Sequence, residues 1–596
     1  MADTKSPQRV KKRSKRPVYI TLGLIVVIGI VIAALGAFAY TKLSSARDDL
    51  NRASTNASQL RAALIAGDQA KASSALQRMQ TNVDSAQSSL DSSVLTLAEK
   101  APVIGKNVKA VRTISSAVGS VAEEGLPPLV DIADKFNGKT FNPKDGKVDI
   151  AALAELTPSL MTSSRSIAVA NKKIQSVDAL SLLGQLQGPV EDAQDKIGDA
   201  ASIASRATVA SRVVPQMLSG KHTYLLIFQN NAEIRATGGL PGAYALLKVN
   251  DGNIELDQQS TGNSFKQLPE PVVPLTNEEH ALFDTKLGTF FLDANFTPDF
   301  PRAAEIATAF LAQQKDTEVD GVLSLDPVTL SYLLKGLGPI ALGDGTKLTT
   351  DNAVDVLLNN VYVNYPTPSD QDAFFAEATK QIFDKVIAGA GDPTAILKSL
   401  TKATRERRVS VWAKDPAVNA EIAKTPLAHD LPAGDAATPA LGYYLNDSTG
   451  AKMQYYLKST VTGSSTQCSD DGVQSYTTEM SLSSSAPADA ASLPTSIQGP
   501  GFGAVPGSML MNLYVYGPAG GAIESVSFDG EDTTAFSQQT HEGRPVAQIT
   551  VQVNPGQTVK VGANIKSGPS QTGSTVVSST PSIVPGPSVQ TWKSSC

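Results

Sequence analysis

Two cysteines and four histidines are all that 596 residues offer for thiol or imidazole chemistry. Neither Cys468 nor Cys596 has a second Cys or a His at ligand spacing, so a zinc site built on either is excluded. His222, His280, His429 and His541 are scattered, with no H-x-x-x-H or HExxH spacing, and no metal ligand set is expected. A G-x-S-x-G elbow, a Walker loop and a Rossmann fingerprint are all missing. Gly238-Gly239-x-x-Gly242 is too short for the last and stands before a strand. Basic charge is scarce outside the amino terminus. The first 16 residues hold seven Lys and Arg against Asp3 alone, which leaves 44 basic and 56 acidic side chains in the other 580. A body that acidic is no nucleic-acid binder, because neutralising phosphates needs clustered cations.

What is present begins with a basic tail, residues 1–17, followed by Val18–Tyr40, 23 residues without a charge. At about 1.5 Å of rise per residue that run crosses a hydrocarbon core of about 30 Å. Cations before it and mixed charge after it put the tail in the cytoplasm and the bulk of the chain outside, at the plasma membrane. A second reading is a cleavable signal, since Ala37-Phe38-Ala39 fits the small-x-small rule, although such apolar runs usually span about 7–15 residues. The two cysteines then lie in an oxidising compartment. They either form a Cys468–Cys596 disulfide, closing a loop of 128 residues worth about 4–5 kcal/mol in the chain-entropy model, or stay free or intermolecular.

Residues 41–219 read as helical. Leu43, Ala46, Leu50, Ala53, Ala57, Leu60 and Leu64 form one heptad seam; Ala72, Leu76, Met79, Val83, Ala86, Leu90 and Leu97 form another, with Ser93 the polar exception. The Gly67-Asp68 break between them predicts an antiparallel hairpin. A third seam runs through Val190, Ala193, Ile197, Ala200, Ala204 and Ala207. The region serves either as a coiled-coil stalk that pairs with a partner or a second copy, or as an intramolecular bundle.

From His222 the apolar period shifts to strands. Residues 220–425 alternate strands with helices, among them Gly321–Leu325 followed by Asp326-Pro327, a helix start; this predicts an α/β domain with a mixed sheet. Residues 426–440, rich in Ala, Pro and Asp, read as a linker. Residues 441–596 hold six or seven short alternating segments separated by turns, as in an antiparallel β-sandwich. The expected fold class is therefore α+β multidomain: transmembrane helix, helical stalk or bundle, α/β domain and β-sandwich.

Chemistry concentrates in Tyr224–Lys248, YLLIFQNNAEIRATGGLPGAYALLK. Two strands flank a polar loop that carries Asn230, Asn231, Glu233, Arg235 and Thr237 before Gly238, Gly239 and Gly242. An acid, a guanidinium and several amides on one loop suit a ligand site, a catalytic site, or the bracing of a long buried connection. The residues alone leave all three open, and no catalytic residue is assigned.

The run Asn230-Asn231-x-Glu233-x-Arg235-x-Thr237-Gly238-Gly239, with Asn295-Phe296-Thr297-Pro298-Asp299-Phe300-Pro301 and Val319-Asp320-Gly321-Val322, closely resembles the bacterial domain-of-unknown-function family 4012. The resemblance covers nearly the whole layout. It implies an anchored, exported cell-envelope protein of a Gram-positive, actinobacterial type, with no assigned activity. A more distant similarity is to the LytR-CpsA-Psr family, which transfers glycopolymers from polyprenyl-diphosphate carriers to the cell wall. That similarity implies a diphosphate paired with Arg235, ligand or Mg²⁺ oriented by Asn231 and Glu233, and a second cationic contact from Arg302 or the cluster Arg405, Arg407 and Arg408. The chain lacks that family's Arg-x-Asp-Thr and Pro-Arg-Asp motifs. The leading expectation is thus a structural, interaction or ligand-binding envelope protein without a cofactor, with cell-wall polymer or envelope proteins as partners. The alternative is a glycopolymer transferase or a binder of lipid-linked diphosphates.

Overall fold

The computed structural model describes residues 43–91, 105–135, 143, 146–432 and 434–596. The basic tail and the Val18–Tyr40 span lie outside the described residues, as do Ser93, Leu97 and the side chains of Leu43, Ala46 and Leu50. Among the described residues no helix is long and apolar enough to cross a membrane. The fold is mixed α+β, with several sheets, and divides into two compact units: residues 1–140 with 151–212, and residues 141–150 with 213–596.

The first unit is helical. Leu43–Ala66 and Gln69–Leu90 form the hairpin, turned at Gly67 with φ 68°, and Asp68 caps the second helix by accepting from the Lys71 N–H at 3.0 Å. Ala53, Ala57, Leu60, Ala72, Leu76, Met79, Val83, Ala86 and Leu90 are buried. Helices Gly105–Ser120, Thr157–Gln175 and the long Gly184–Leu218 cover them, and Val190, Ala193 and Ile197 join the same core. The described seam residues are therefore packed within the unit, and their small alanines let the helices approach closely.

The second unit opens with a five-stranded mixed sheet in the order β3-β2-β1-β4-β7, formed by β1 (Lys221–Asn230), β2 (Leu240–Asn250), β3 (Asn253–Thr261), β4 (Gly321–Leu325) and β7 (Ser410–Ala413); a short hairpin, β5 (Ile340–Ala341) with β6 (Lys347–Leu348), stands apart. Only β1 and β4 run parallel, from Tyr224 opposite Gly321 to Phe228 opposite Leu325. A parallel pair needs a crossover, which here carries the helix Phe300–Lys315. That helix is capped by Asp299, whose carboxylate accepts from the Arg302 N–H at 3.2 Å and the Leu431 N–H at 3.1 Å.

Asp299 makes a pH-dependent contribution that can be measured. Burial, reinforced by the neighbouring charges of Glu542 and Asp430, pushes its carboxyl up from 3.8 to about 6. A folded-state value above the unfolded one means that the native state holds the extra proton. This part of the stability is present below pH ~4 and is lost as pH rises through ~6. It amounts to on the order of 3 kcal/mol at 1.36 kcal/mol per pH unit. Asp299→Asn is expected to flatten the fall in unfolding free energy between pH 4 and pH 7, at the cost of one cap hydrogen bond; an unchanged slope rejects this assignment.

Eleven strands make the β-rich part, more than the six or seven read from the sequence. One sheet has the order β13-β12-β16-β10-β9, with β9 (Leu457–Cys468), β10 (Gln474–Ser484), β12 (Ala522–Phe528), β13 (Glu531–Thr533) and β16 (Thr558–Lys566). The other has the order β14-β15-β11-β8-β17-β18, with β8 (Ala440–Asp447), β11 (Met509–Tyr516), β14 (Ser537–His541), β15 (Arg544–Val553), β17 (Thr575–Ser579) and β18 (Val589–Trp592). Of the strands not read, β13 and β14 are short and polar, β17 and β18 are only five and four residues long, and β8 is buried at every position, so none leaves an alternating apolar trace. Residues of both sheets, among them Leu445, Met480, Leu513 and Val561, share one core. The sandwich is not wholly antiparallel, because β17 pairs with β8 in parallel.

The six-stranded sheet is also covered on its outer face. Tyr444, Tyr514, Tyr516 and Val546 pack into the core that holds Leu225, Phe283 and Phe291, and every residue of β8 is buried. That shared core is why the α/β part and the sandwich form a single unit. The first part of the segment 426–440 is packed rather than free. Ala428, His429 and Leu431 are buried, the Val411 N–H donates to the Leu427 carbonyl at 2.8 Å, and the Phe300 N–H donates to the His429 carbonyl at 3.1 Å. Residues 427–432 carry these contacts; residues 434–438, which carry much of the alanine and aspartate, are exposed.

Candidate functional site

The loop between β1 and β2 is buried along its length, from Asn231 to Gly239. Its backbone groups cannot reach water, so they must find partners within the protein. The sandwich supplies several of them. The Asp447 N–H donates to the Ile234 carbonyl at 2.9 Å and the Gln454 N–H to the Ala232 carbonyl at 3.1 Å. The Asn446 side-chain oxygen accepts from the Ala236 N–H at 2.8 Å, and the Thr580 hydroxyl donates to the Ala236 carbonyl at 3.1 Å. The paired glycines have separate reasons. Gly238 sits at φ 139°, a conformation side chains rarely adopt, and a Cβ on Gly239 would lie 2.3 Å from the Asn230 carbonyl.

Arg235, 4 % exposed, is the centre of the loop. Its Nη2 donates to Glu233 Oε1 and to Asp293 Oδ1, both at 3.1 Å, and its Nη1 donates to the Ile234 carbonyl at 3.0 Å. The guanidinium carbon lies 5.0 Å from the Phe296 ring centre. Burial opposes the charge of Arg235, yet Asp293, Glu233 and Asp447 outweigh it and hold the group above its ordinary range. Lys452 Nζ stands 3.5 Å from the other Glu233 oxygen. Three acids thus face two cations. Burial pushes the Asp293 and Asp447 carboxyls up, and the Glu233 charge adds to both shifts.

A second, uncharged network lies beside it. Gln229 Nε2 donates to Ser324 Oγ at 2.6 Å, and Gln229 Oε1 accepts from the Thr237 hydroxyl at 3.1 Å and the Gly239 N–H at 2.9 Å. Asn295 Nδ2 donates to Thr237 Oγ1 and to the Gly239 carbonyl, each at 2.8 Å. Asn230 donates to the Tyr362 hydroxyl at 2.6 Å and caps the Ala232 N–H, while Asn231 donates to the Gly238 carbonyl at 3.3 Å. The space lined by Ile227, Gln229, Thr237, Phe291, Asn295 and Ser324 measures about 10 Å³. That is room for one water, not for a lipid chain or a sugar.

Asn230, Asn231, Glu233, Arg235 and Thr237 do come together and bond largely to one another and to neighbouring elements, while Asn231 Oδ1, Arg235 Nε and the adjacent Asn295 Oδ1 are buried with no hydrogen-bond partner. Arg302 is not part of the cluster. It holds Glu279 with Nε to Oε1 at 2.7 Å and Nη2 to Oε2 at 3.2 Å, and reaches the Pro274 carbonyl at 2.7 Å. Glu279 belongs to the capping box of the helix Asn277–Phe283, so Arg302 fastens that helix to Phe300–Lys315. Of the other arginines, Arg407 donates to the Asp430 carbonyl, and Arg408 forms a second buried assembly. Arg408 Nη1 contacts Asp326 Oδ2 at 2.8 Å and its Nε contacts Glu406 Oε2 at 2.6 Å, which also accepts from Tyr332 at 2.8 Å. The Arg408 Nη2 donates to the Val584 carbonyl at 3.1 Å, so this pair too grips the sandwich.

Asp293, Ser324, Asp447, Lys452 and Tyr362 are cluster residues that sequence spacing misses, because they come from elements up to 219 positions away, whereas Gln229 adjoins the loop in the sequence. Asn295 stood in a recognised stretch, which was its one signal. Cys468 and Cys596 are joined by a disulfide with Cα atoms 5.1 Å apart. Among the described residues no group of three or more His, Cys, Asp or Glu is arranged to hold a metal ion. No curated protein matches the chain. Residues 219–362 match the family model described as "Protein of unknown function (DUF4012)".

Proposed function

We propose that this is a single-pass cell-envelope protein with its bulk outside the membrane, and that it works by presenting surfaces rather than by turning over a substrate. The observation that carries this reading is the closure of the Arg235 cluster. The acid, both terminal nitrogens of the guanidinium and the amide nitrogens are already bonded to the chain, leaving Arg235 Nε, Asn231 Oδ1 and Asn295 Oδ1 buried without a partner, and the space beside them has the volume of one water. In this reading the signature loop is the fastening that makes the α/β domain and the sandwich one rigid body, and cell-wall polymer or other envelope proteins meet that body's surface.

Two measurements test it. In protoplasts treated with external protease, an epitope in the sandwich is expected to be degraded while one placed before residue 17 is protected; protection of both rejects the topology. Titration of the full chain with a polyprenyl diphosphate and Mg²⁺ is expected to show no saturable binding. Saturable binding with transfer of a glycopolymer would establish the transferase alternative instead.

A further inference from the structure

The helical unit has one end where the chain emerges, and the same end carries leucines its core does not use. The hairpin fixes the direction. Arg78 Nε bonds Asn56 at 3.2 Å and Nη2 bonds Gln59 at 2.9 Å, so Gln69–Leu90 runs antiparallel to Leu43–Ala66 and brings Leu90 level with Leu43. Helix Gly105–Ser120 runs antiparallel again. Arg112 donates to the Leu90 carbonyl at 3.1 Å, and Gln87 to the Ser115 carbonyl at 3.1 Å. Its first turn therefore projects beyond the level of Leu43 by the rise from Arg112 to Gly105, on the order of 10 Å. The turn Asp178–Leu183 sits there, because Asn107 Oδ1 accepts the Leu183 N–H at 3.0 Å.

In that turn Ala179 and Leu182 enter the core, whereas Leu180 is 79 % exposed and Leu183 42 %. The backbone of Leu180 is held outward by Asp178, whose carboxylate accepts its N–H at 3.1 Å. Four lysines ring the same end, all exposed: Lys106 and Lys109 in the first turns of one helix, Lys172 and Lys173 in the last turn of another. Asp178 and Asp91 are acids near them, as are Glu191, Asp192 and Asp195 on the helix Gly184–Leu218, whose Gln194 bonds the Ile174 and Val177 carbonyls; Lys196 stands 3.7 Å from Asp192. Leucines bounded by lysines are what a helix or turn needs to rest in a bilayer interface, with the apolar groups among the acyl chains and the cations at anionic headgroups. The charge-free run Val18–Tyr40 ends two residues before Leu43, at this same end.

We infer that the Asp178–Leu183 turn is a membrane-resting foot: Leu180 and Leu183 enter the interface of the bilayer that Val18–Tyr40 spans, and the four lysines meet anionic lipid headgroups. The inference rests on the anchored reading above. It gives the unit a second attachment point, which sets its tilt against the membrane.

Nitroxide labels test it in the full chain reconstituted into vesicles of phosphatidylcholine with phosphatidylglycerol. The native cysteines are disulfide-bonded and do not take the label. Three single-cysteine variants are compared: Leu180→Cys, Ala70→Cys at the opposite end of the hairpin, and Val26→Cys in the charge-free run. The ratio of oxygen to nickel-chelate collisions at position 180 is expected to lie several-fold above that at position 70 and below that at position 26. Equal, water-like ratios at 180 and 70 with a bilayer value at 26 overturn the foot and leave the anchor standing. A water-like value at 26 removes both.

Discussion

Arg235→Met is expected to destabilise the second unit by about 3–5 kcal/mol, the usual cost of removing one partner from a buried ion pair. Glu233 and Asp293 would each lose a charged contact of 3.1 Å, and Asp447 would lose a cation that keeps its charge tolerable. Lys452, 3.5 Å from Glu233, offsets only part of this. The pH dependence has a definite sign. Without the guanidinium the buried carboxyls titrate higher still, so the native state holds more protons than the unfolded chain. The loss is therefore smaller at pH 5 than at pH 8. Arg235→Lys is expected to recover part of the stability, since a single ammonium cannot serve two carboxylates and a carbonyl in one plane. Urea unfolding of the three proteins at the two pH values decides the matter. A loss under about 1 kcal/mol, or no dependence on pH, would falsify the bracing role.

Opening the disulfide is the second large effect. Cys468 ends β9 and Cys596 ends the chain, 128 residues on. In the chain-entropy model a loop of that length contributes about 5 kcal/mol by restricting the unfolded ensemble. The local consequence falls on β18, an edge strand whose only ladder is with β17. Ser465 and Ser595 share a hydrogen bond of 2.7 Å beside the bridge, too little to hold the terminus by itself. Cys596→Ser, or unfolding under reductant, is expected to lower the urea midpoint and to raise amide exchange first in residues 589–596. A midpoint shift worth less than about 1 kcal/mol rejects the entropic account for this bridge.

The helical hairpin was legible because its information is local. Heptad spacing specifies a buried face wherever the partner lies, and a Gly-Asp pair turns a helix with no outside help. The Asp326-Pro327 helix start and the β1–β2 strands were legible for the same reason. The strand count of the sandwich was not, because β8, β13, β14, β17 and β18 are held by their neighbours rather than by their own pattern. Composition marks the exposed stretch 434–438 of the segment 426–440 but says nothing of the packing that closes on Leu431.

The signature loop divides along the same line. By itself the sequence determined which residues are unusual there, which family they mark, and that Gly238 and Gly239 must turn the chain sharply. Only the tertiary structure decided what Arg235 touches. A guanidinium beside a carboxylate two residues away suits a ligand as well as a brace. The difference lies in Asp293, Phe296, Asp447 and Lys452, which arrive from other elements and surround the Arg235–Glu233 pair. Short-range sterics and periodicity are written in neighbouring residues, whereas the pairing of a buried charge depends on which distant groups the fold brings within about 3 Å.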